Sequence, residues 1–193
     1  AAINVLGLED IARLMCRGGW PRATMIASEK ALKIADEYIS AVANIDISRV
    51  DSVKRNPEFT RRIMKSYARH QSTQSSISTI YADIVSHDTE SLSEDTITSY
   101  INALKQLYVI EDVQAWNPNL RSKTSIRTSD TRYYIEPSIA TASLGIGPKD
   151  LINDLKTMGL IFETLAIRDL RVYAEANNGQ LYHYRDKSGL ECD

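Results

Sequence analysis

The sequence has 193 residues, of which 43% are hydrophobic and 25% charged, and its formal net charge at pH 7 is −2. These values are typical of a soluble globular protein, and the net charge gives no overall attraction to nucleic acid. The two cysteines, Cys16 and Cys192, exclude a disulfide framework and favour a reducing cytoplasm, and no apolar run is long enough to predict a membrane span. The N-terminus lacks the features of a signal peptide, and we expect both ends to be cut from a longer chain.

The first third of the chain predicts helices. Leu8 to Met15 form a short amphipathic helix, which the sequence Gly18-Gly19-Trp20-Pro21 ends. We interpret this turn as a corner between helices with Trp20 as a plug in the core, and a binding role is the alternative. A second helix is predicted for roughly residues 24–44, and Asn56-Pro57 begins a third.

The third helix carries a basic stripe. Arg61, Lys65 and Arg69 recur at i, i+4 and i+8, with Arg62 beside them. Such a stripe is suited to the phosphate backbone of nucleic acid. The alternatives are a solvated face, or pairing with acidic groups elsewhere in the chain.

The middle of the chain has the element order of a winged helix-turn-helix. Helical apolar periodicity marks residues 77–84 and 93–108, and a period of two follows over 109–116. The polar segment 117–130 comes next, before the strand-like residues 133–135. This order predicts residues 93–108 as the second helix of the motif and residues 117–130 as its wing.

The two helices of this motif have N-cap candidates in their sequences. Ser75 or Ser76 can cap the first helix, and Ser93 alone, or Ser91 together with Glu94, can cap the second.

The exposed polar residues of this motif predict contact with DNA through the wing and the basic helix more than through the second helix. Glu94 and Asp95 at the start of the second helix would repel phosphates, whereas the wing is basic. A rigid spacer or a protein-binding module is the alternative. The remaining candidate DNA contacts are Thr98, Asn102, Lys105, Arg121, Lys123 and Arg127.

The last third begins at Gly145-Ile-Gly-Pro148, which we predict as a domain boundary. A long helical pattern follows over residues 151–173, then a tight turn at 177–179 and two strand-like segments from residue 181. The predicted fold is therefore mainly α. It has a winged helix-turn-helix (54–144) between an N-terminal helical segment (1–53) and the start of an α/β domain (145–193).

Four landmarks together resemble one protein family. They are Gly18-Gly19-Trp20-Pro21, the central winged helix, Gly159-Leu-Ile-Phe-Glu163, and the run from Tyr184 to Asp193. The chain resembles the C-terminal half of bacterial and archaeal AAA+-type ATPases that carry a domain of unknown function after the ATPase module. The resemblance implies an ATPase half with a P-loop, a lid, a winged helix and a domain similar to PD-(D/E)XK nucleases.

The resemblance also implies roles for two acids. Glu163 matches the helix glutamate of the nuclease-like fold and Asp193 its first strand aspartate, and such carboxylates bind a divalent cation. The expected Glu-x-Lys element and a P-loop are both absent from the sequence, so we predict no catalytic site in this chain. ATP and Mg²⁺ are expected only for the parent protein.

Three hypotheses therefore remain at the level of sequence. The first is a non-catalytic part of such an ATPase, whose partners would be its own ATPase half and double-stranded DNA. The second is a metal-dependent nuclease completed by further residues. The third is a winged-helix transcriptional regulator.

Overall fold

The computed structural model describes residues 6–27, 29–86, 92–116, 129–185 and 191–192. Over these residues the protein is mainly α, as the sequence predicts. The α-helices are α1 (Leu8–Arg17), α2 (Pro21–Thr24), α3 (Lys33–Ala41), α4 (Ile47–Arg49), α5 (Pro57–Arg69), α6 (Ile77–Val85), α7 (Glu94–Gln106), α8 (Pro137–Leu144), α9 (Pro148–Asn153) and α10 (Leu155–Ala176).

The corner between α1 and α2 depends on one glycine and one tryptophan. Gly18 has a φ of 73°, and a Cβ there would collide with the Ser138 hydroxyl and the Trp20 ring. Trp20 is partly buried, and its Nε1 donates a hydrogen bond of 2.8 Å to Ser138 Oγ. Its ring lies 4.8 Å from that of Tyr38. These contacts favour the corner interpretation of the turn over the binding role.

The second predicted helix is shorter at its N-terminus than the sequence indicates. Helical structure begins at residue 29 with a 3₁₀ turn, Glu29–Leu32, because residues 21–24 form the separate helix α2. A π-helical turn, Val42–Asp46, then joins α3 to α4. The boundary predicted at residue 24 is therefore wrong by about one helical turn.

Side-chain caps begin the three helices of the central part. Asn56 Oδ1 accepts hydrogen bonds from the backbone N–H groups of Glu58 and Phe59 at the start of α5. Ser76 caps α6 and Ser93 caps α7 in the same way, through bonds of 3.1 Å from the residues three positions on. These observations confirm Pro57 at the first helical position and select Ser76 and Ser93 among the predicted caps.

Three extended segments, residues 72–73, 110–113 and 131–134, lie side by side. Backbone pairing joins Ser72 and Thr73 to Arg132, and residues 110–113 pair antiparallel with residues 131–134. His183 adds to the other side of this arrangement through a parallel bridge to Ala115. The tip of the predicted wing, residues 117–128, lies outside the described residues.

One hydrophobic core crosses the segment boundaries predicted from the sequence. It contains Ala12 and Met15 of α1, Tyr67 of α5, and Met158 and Ile161 of α10. The Gly145–Pro148 break separates α8 from α9, and Gly145 has the left-handed conformation typical of a helix C-terminus. This break is a turn between α8 and α9, and both helices contribute to the same core.

Two short strands follow α10. Asn178, with a φ of 54°, turns the chain after Ala176, and Gly179 N–H bonds to the Ala174 carbonyl at 2.7 Å. Strands β1 (Tyr184–Arg185) and β2 (Glu191–Cys192) then pair antiparallel. No larger sheet follows α10 among the described residues. In the same part of the chain, none of the helices has the length and apolar character that crossing a membrane requires.

Candidate functional site

The exposed face of α7 has polar and acidic side chains. Glu94, Asp95 and Asn102 are exposed to solvent. Thr98 is half-buried, and its hydroxyl donates to the Glu94 carbonyl at 2.9 Å. Of the candidate DNA contacts on this helix, Asn102 is the one with an exposed side chain, and Glu94 and Asp95 make the N-terminal turn of the helix acidic.

The side chain of Asp112 is a buried carboxylate that contacts α7 through Lys105. Its side chain is 3% exposed, and its oxygens contact Lys105 Nζ at 2.7 Å and Arg132 Nη1 at 2.5 Å. Tyr67 Oη donates a further hydrogen bond to it. Burial and the neighbouring Asp112 raise the pKa of Tyr67 well above its ordinary value, so its hydroxyl stays protonated and remains a donor.

This cluster, Asp112 with Tyr67, Lys105 and Arg132, connects four elements. Tyr67 belongs to α5, Lys105 to α7, and the other two to the paired extended segments. Arg132 is also fixed by a hydrogen bond of 2.9 Å from its Nε to the Ser75 carbonyl. Arg132 and Lys105 therefore link elements of the same chain, whereas the sequence predicted Lys105 as a DNA contact.

The members of the basic stripe of α5 differ in their partners. Arg69 Nη2 forms an ion pair with Asp83 of α6 at 2.6 Å, and Ser66 Oγ donates to the same carboxylate at 2.5 Å. Arg61 is half-buried and bonds to uncharged oxygens, the Pro57 carbonyl at 3.4 Å and Asn44 Oδ1 at 3.2 Å.

The other two members of the stripe differ in their surroundings. The guanidinium of Arg62 lies 5.3 Å from the centre of the Phe59 ring. Lys65 is exposed, and the described residues give it no ion pair. On α5, Lys65 is therefore an exposed cation without an ion pair among the described residues, and the described partners of Arg61 are uncharged.

Arg55 is a structural residue that the sequence analysis did not single out. Its side chain is 2% exposed, and it forms a bidentate ion pair with Asp51 through hydrogen bonds of 2.6 and 2.7 Å. It also donates to the Ile47 carbonyl at 2.8 Å and to Ser99 Oγ at 3.1 Å. Arg55 therefore fixes the connector before α5 to the N-terminal half of α7. No local pattern in the sequence distinguishes it from the basic residues that follow.

The candidate metal residues are not assembled into a site in the described residues. Glu163 lies on α10 and accepts a hydrogen bond from the Tyr133 hydroxyl, whereas Asp193 lies outside the described residues. The described residues also contain no group of three or more His, Cys, Asp or Glu side chains that could hold a metal ion. Glu163 is placed as a contact between α10 and the extended segment 131–134.

One face of α10 makes several polar contacts with the central part of the protein. Thr164 Oγ1 donates to Gln71 Oε1 at 3.2 Å, and Ser72 Oγ donates to the Leu160 carbonyl at 2.9 Å. Two ion pairs add to these contacts, Arg168 with Glu136 at 2.8 Å and Arg171 with Glu111 at 3.1 Å. Together with Tyr133–Glu163, they fix α10 to the segments that flank the predicted wing.

The three remaining candidate DNA contacts, Arg121, Lys123 and Arg127, lie outside the described residues. The prediction that they form a basic wing therefore stays a prediction. Among the described residues, the structure brings Lys105 and Arg132 together on one carboxylate. It leaves Asn102 and Lys65 exposed on different helices.

Comparison with known proteins identifies a family whose described domain has no known function. No curated protein and no solved structure matches the chain. A family model described as a domain of unknown function matches residues 8–150, which extend from the start of α1 into α9. Because this match covers well over half of the chain, the protein belongs to the DUF8612 family.

Proposed function

We propose that the chain is a non-catalytic winged-helix module of a AAA+-type ATPase, and that it acts as a rigid connector rather than as a reader of DNA sequence. The order α5, extended 72–73, α6, α7 and the paired segments 110–113 and 131–134 supports the winged-helix part of the proposal. The ATPase part rests on the resemblance of the sequence, and ATP and Mg²⁺ would bind the other half of the parent protein.

The observation that carries the connector proposal is the Asp112 cluster. A winged helix that reads DNA presents basic and amide side chains from its second helix and its wing. Here Lys105 and Arg132 instead form ion pairs with one carboxylate that is 3% exposed. The pair between Arg132 and Asp112 is buried on both sides. A buried ion pair fixes the relative positions of the elements that it joins, because removing one partner leaves a buried charge without its direct contact.

The contacts of α10 extend the same argument to the C-terminal part. Two ion pairs and three hydrogen bonds join α10 to residues on both sides of the predicted wing. A helix held in this way transmits the orientation of the winged helix to whatever packs on its other side.

Hydrogen exchange tests the connector directly. We expect the amides of α10 and those of α5 to open with the same free energy, because a rigid connector unfolds as one unit. The double variant Arg168→Ala and Arg171→Ala is expected to lower the protection of α10, and Lys149→Ala with Lys156→Ala is the matched control. Opening of wild-type α10 as a separate unit of low stability would contradict the proposal.

Contact with the phosphate backbone of DNA is the second candidate function. It is favoured by Arg61, whose described partners are uncharged, and by the exposed Lys65. Binding to a fluorescent random-sequence duplex, titrated in salt, tests it. The triple variant Arg61→Ala, Arg62→Ala, Lys65→Ala is expected to reduce the salt slope by about one for each lost phosphate contact.

The outcomes of this titration separate the two candidates. No binding at low salt, or binding that the triple variant leaves unchanged, removes the phosphate-contact function of α5 and leaves the connector. Sequence-selective binding that Asn102→Ala weakens would contradict the connector and support the regulator hypothesis. The nuclease hypothesis requires DNA cleavage with Mg²⁺ or Mn²⁺ that Glu163→Gln abolishes without loss of stability.

A further inference from the structure

The turn after α10 contains the single Asn-Gly pair of the sequence, Asn178-Gly179. Both residues are exposed, and Asn178 has a left-handed conformation with a φ of 54°. Asparagine tolerates this conformation better than most residues with a side chain. The Gly179 N–H closes the turn by donating a hydrogen bond of 2.7 Å to the Ala174 carbonyl.

An asparagine followed by glycine is prone to lose the nitrogen of its side chain. After hydroxide removes the proton of the glycine N–H, the backbone nitrogen attacks Cγ of the asparagine, and the bond from Cγ to Nδ2 breaks. The leaving nitrogen takes up a proton from water and departs as ammonia, so a cyclic imide remains. Water then adds to one of the two imide carbonyls, and the ring opens to aspartate or isoaspartate. Glycine favours the attack because no side chain hinders the approach of its nitrogen.

The surroundings of the other exposed asparagines in this part of the chain distinguish Asn178 from them. Asn177 Nδ2 donates to the Tyr173 carbonyl at 2.7 Å, and the residue that follows Asn177 has a side chain. Asn153 ends α9 and is followed by an aspartate. Among the described residues, the Asn178 side chain has no hydrogen-bond partner. Its Cγ can therefore turn towards the nitrogen of Gly179 without breaking a contact.

The hydrogen bond between Gly179 and Ala174 acts as a gate for this reaction. While the turn is closed, the Gly179 N–H is bound to a carbonyl and is not available to hydroxide. A Cβ at Gly179 would lie 3.2 Å from the Ala174 carbonyl oxygen, so the closed turn also favours glycine at this position. The turn lies at the exposed end of a helix, where local opening requires little free energy.

We propose that Asn178 is a site of spontaneous deamidation in the folded protein, and that the isoaspartate product weakens the attachment of the segment after α10. In isoaspartate the backbone passes through the former side chain, which lengthens the connection between α10 and His183. The new carboxylate also lies beyond the negative end of α10, where a further negative charge is unfavourable.

The attachment in question consists of two backbone hydrogen bonds. The His183 N–H donates to the Gln114 carbonyl at 3.0 Å, and the Trp116 N–H donates to the His183 carbonyl at 2.7 Å. Both bonds depend on the position of the chain as it leaves the turn. The proposal does not depend on the connector function, on the ATPase resemblance or on DNA contact.

Peptide mapping by mass spectrometry of the full chain, aged at neutral and at mildly alkaline pH, tests the site. We expect deamidation at Asn178 with isoaspartate as the larger product, and a faster reaction at the higher pH because base removes the Gly179 proton. Asn153 and Asn177 of the same samples are the internal controls and are expected to remain unmodified. An unmodified Asn178 in the folded chain, in the time that the urea-unfolded chain reacts to completion, would overturn the proposal.

The rate in the urea-unfolded chain measures the gate. We expect Asn178 to react about tenfold faster or more in the unfolded chain, which corresponds to a free energy of opening of at least about 1.4 kcal/mol. Equal rates in the folded and unfolded chains would overturn the role of the Gly179 hydrogen bond.

Hydrogen exchange tests the effect on the structure. In the isoaspartate fraction, separated by anion exchange, we expect the amides of Trp116 and His183 to exchange about tenfold faster than in the unmodified protein, whereas those of α5 keep their protection. Asn178→Asp is the matched control, because it adds the charge without lengthening the backbone, and we expect it to change the two amides less. Unchanged exchange at Trp116 and His183 in the isoaspartate fraction would overturn the weakened attachment.

Discussion

Replacing Asp112 with alanine is expected to destabilise the protein by about 3–5 kcal/mol. The carboxylate is 3% exposed and is the described ion-pair partner of Arg132, whose side chain is 9% exposed. Without Asp112, the buried guanidinium loses the carboxylate that it contacts directly, and Asp130 acts on it only through a coulombic interaction. The Tyr67 hydroxyl, on a side chain of 0% exposure, also loses its described acceptor.

Lys105→Ala is the control variant for this prediction. Its side chain is 37% exposed, so its ammonium group can turn into solvent when the partner is removed. Lys105→Ala is therefore expected to cost less than about 1 kcal/mol. Lys105→Ala removes one ion pair to this carboxylate, whereas Asp112→Ala removes both ion pairs and the hydrogen bond from Tyr67, so the difference measures the buried contacts of Asp112 with Arg132 and Tyr67.

Urea unfolding followed by circular dichroism measures these free energies. A third variant, Asp112→Leu with Arg132→Met, replaces the buried pair by apolar side chains and is expected to recover much of the loss of Asp112→Ala. A loss below about 1 kcal/mol for Asp112→Ala, with an unchanged dependence on urea, would refute the argument that this cluster holds the four elements together.

Two further predictions concern backbone strain and acid stability. Tyr108 follows α7 with a φ of 53° and is 71% exposed. Tyr108→Gly is therefore expected to raise the free energy of unfolding by about 0.5–1 kcal/mol, because glycine adopts this conformation without strain. Tyr108→Ala is expected to give no such gain. If urea unfolding shows the same gain for both variants, backbone strain at Tyr108 is not its cause. Hydrogen bonds from Arg55 lower the pKa of Asp51 from 3.8 to about 2. Because the folded pKa is the lower one, this stabilisation is present above about pH 4 and is lost as the pH falls towards 2. Asp51→Asn should flatten that part of the pH dependence of urea unfolding, and an unchanged acid limb would show that other carboxylates determine it.

Local chemistry made much of the helical framework predictable. The caps at Asn56, Ser76 and Ser93 depend on atoms within three residues, and each was visible in the sequence. The start of the second helix was not predictable in this way. The sequence pattern predicts a helix from about residue 24, but α2 ends at Thr24 and a 3₁₀ turn begins at Glu29.

The candidate site was less predictable, because the sequence shows which residues are charged but not which charges are paired. Lys105 and Arg69 lie on helix faces whose pattern suits phosphate contact, and both are paired with aspartates on other elements. Asn102 and Lys65 are exposed, as their positions on the polar faces of the two helices indicate.

The sequence by itself determined the helical class, the helix caps and the succession of elements in the central part, because these depend on short-range periodicity and local hydrogen bonds. Only the tertiary structure decided that Asp112 gathers Tyr67, Lys105 and Arg132, and that polar contacts fix α10 to the segments that flank the predicted wing. Those facts depend on residues that are distant in sequence. Burial then determines whether a charge is a cross-link or a contact, because an ion removed from water must find its partner within the protein.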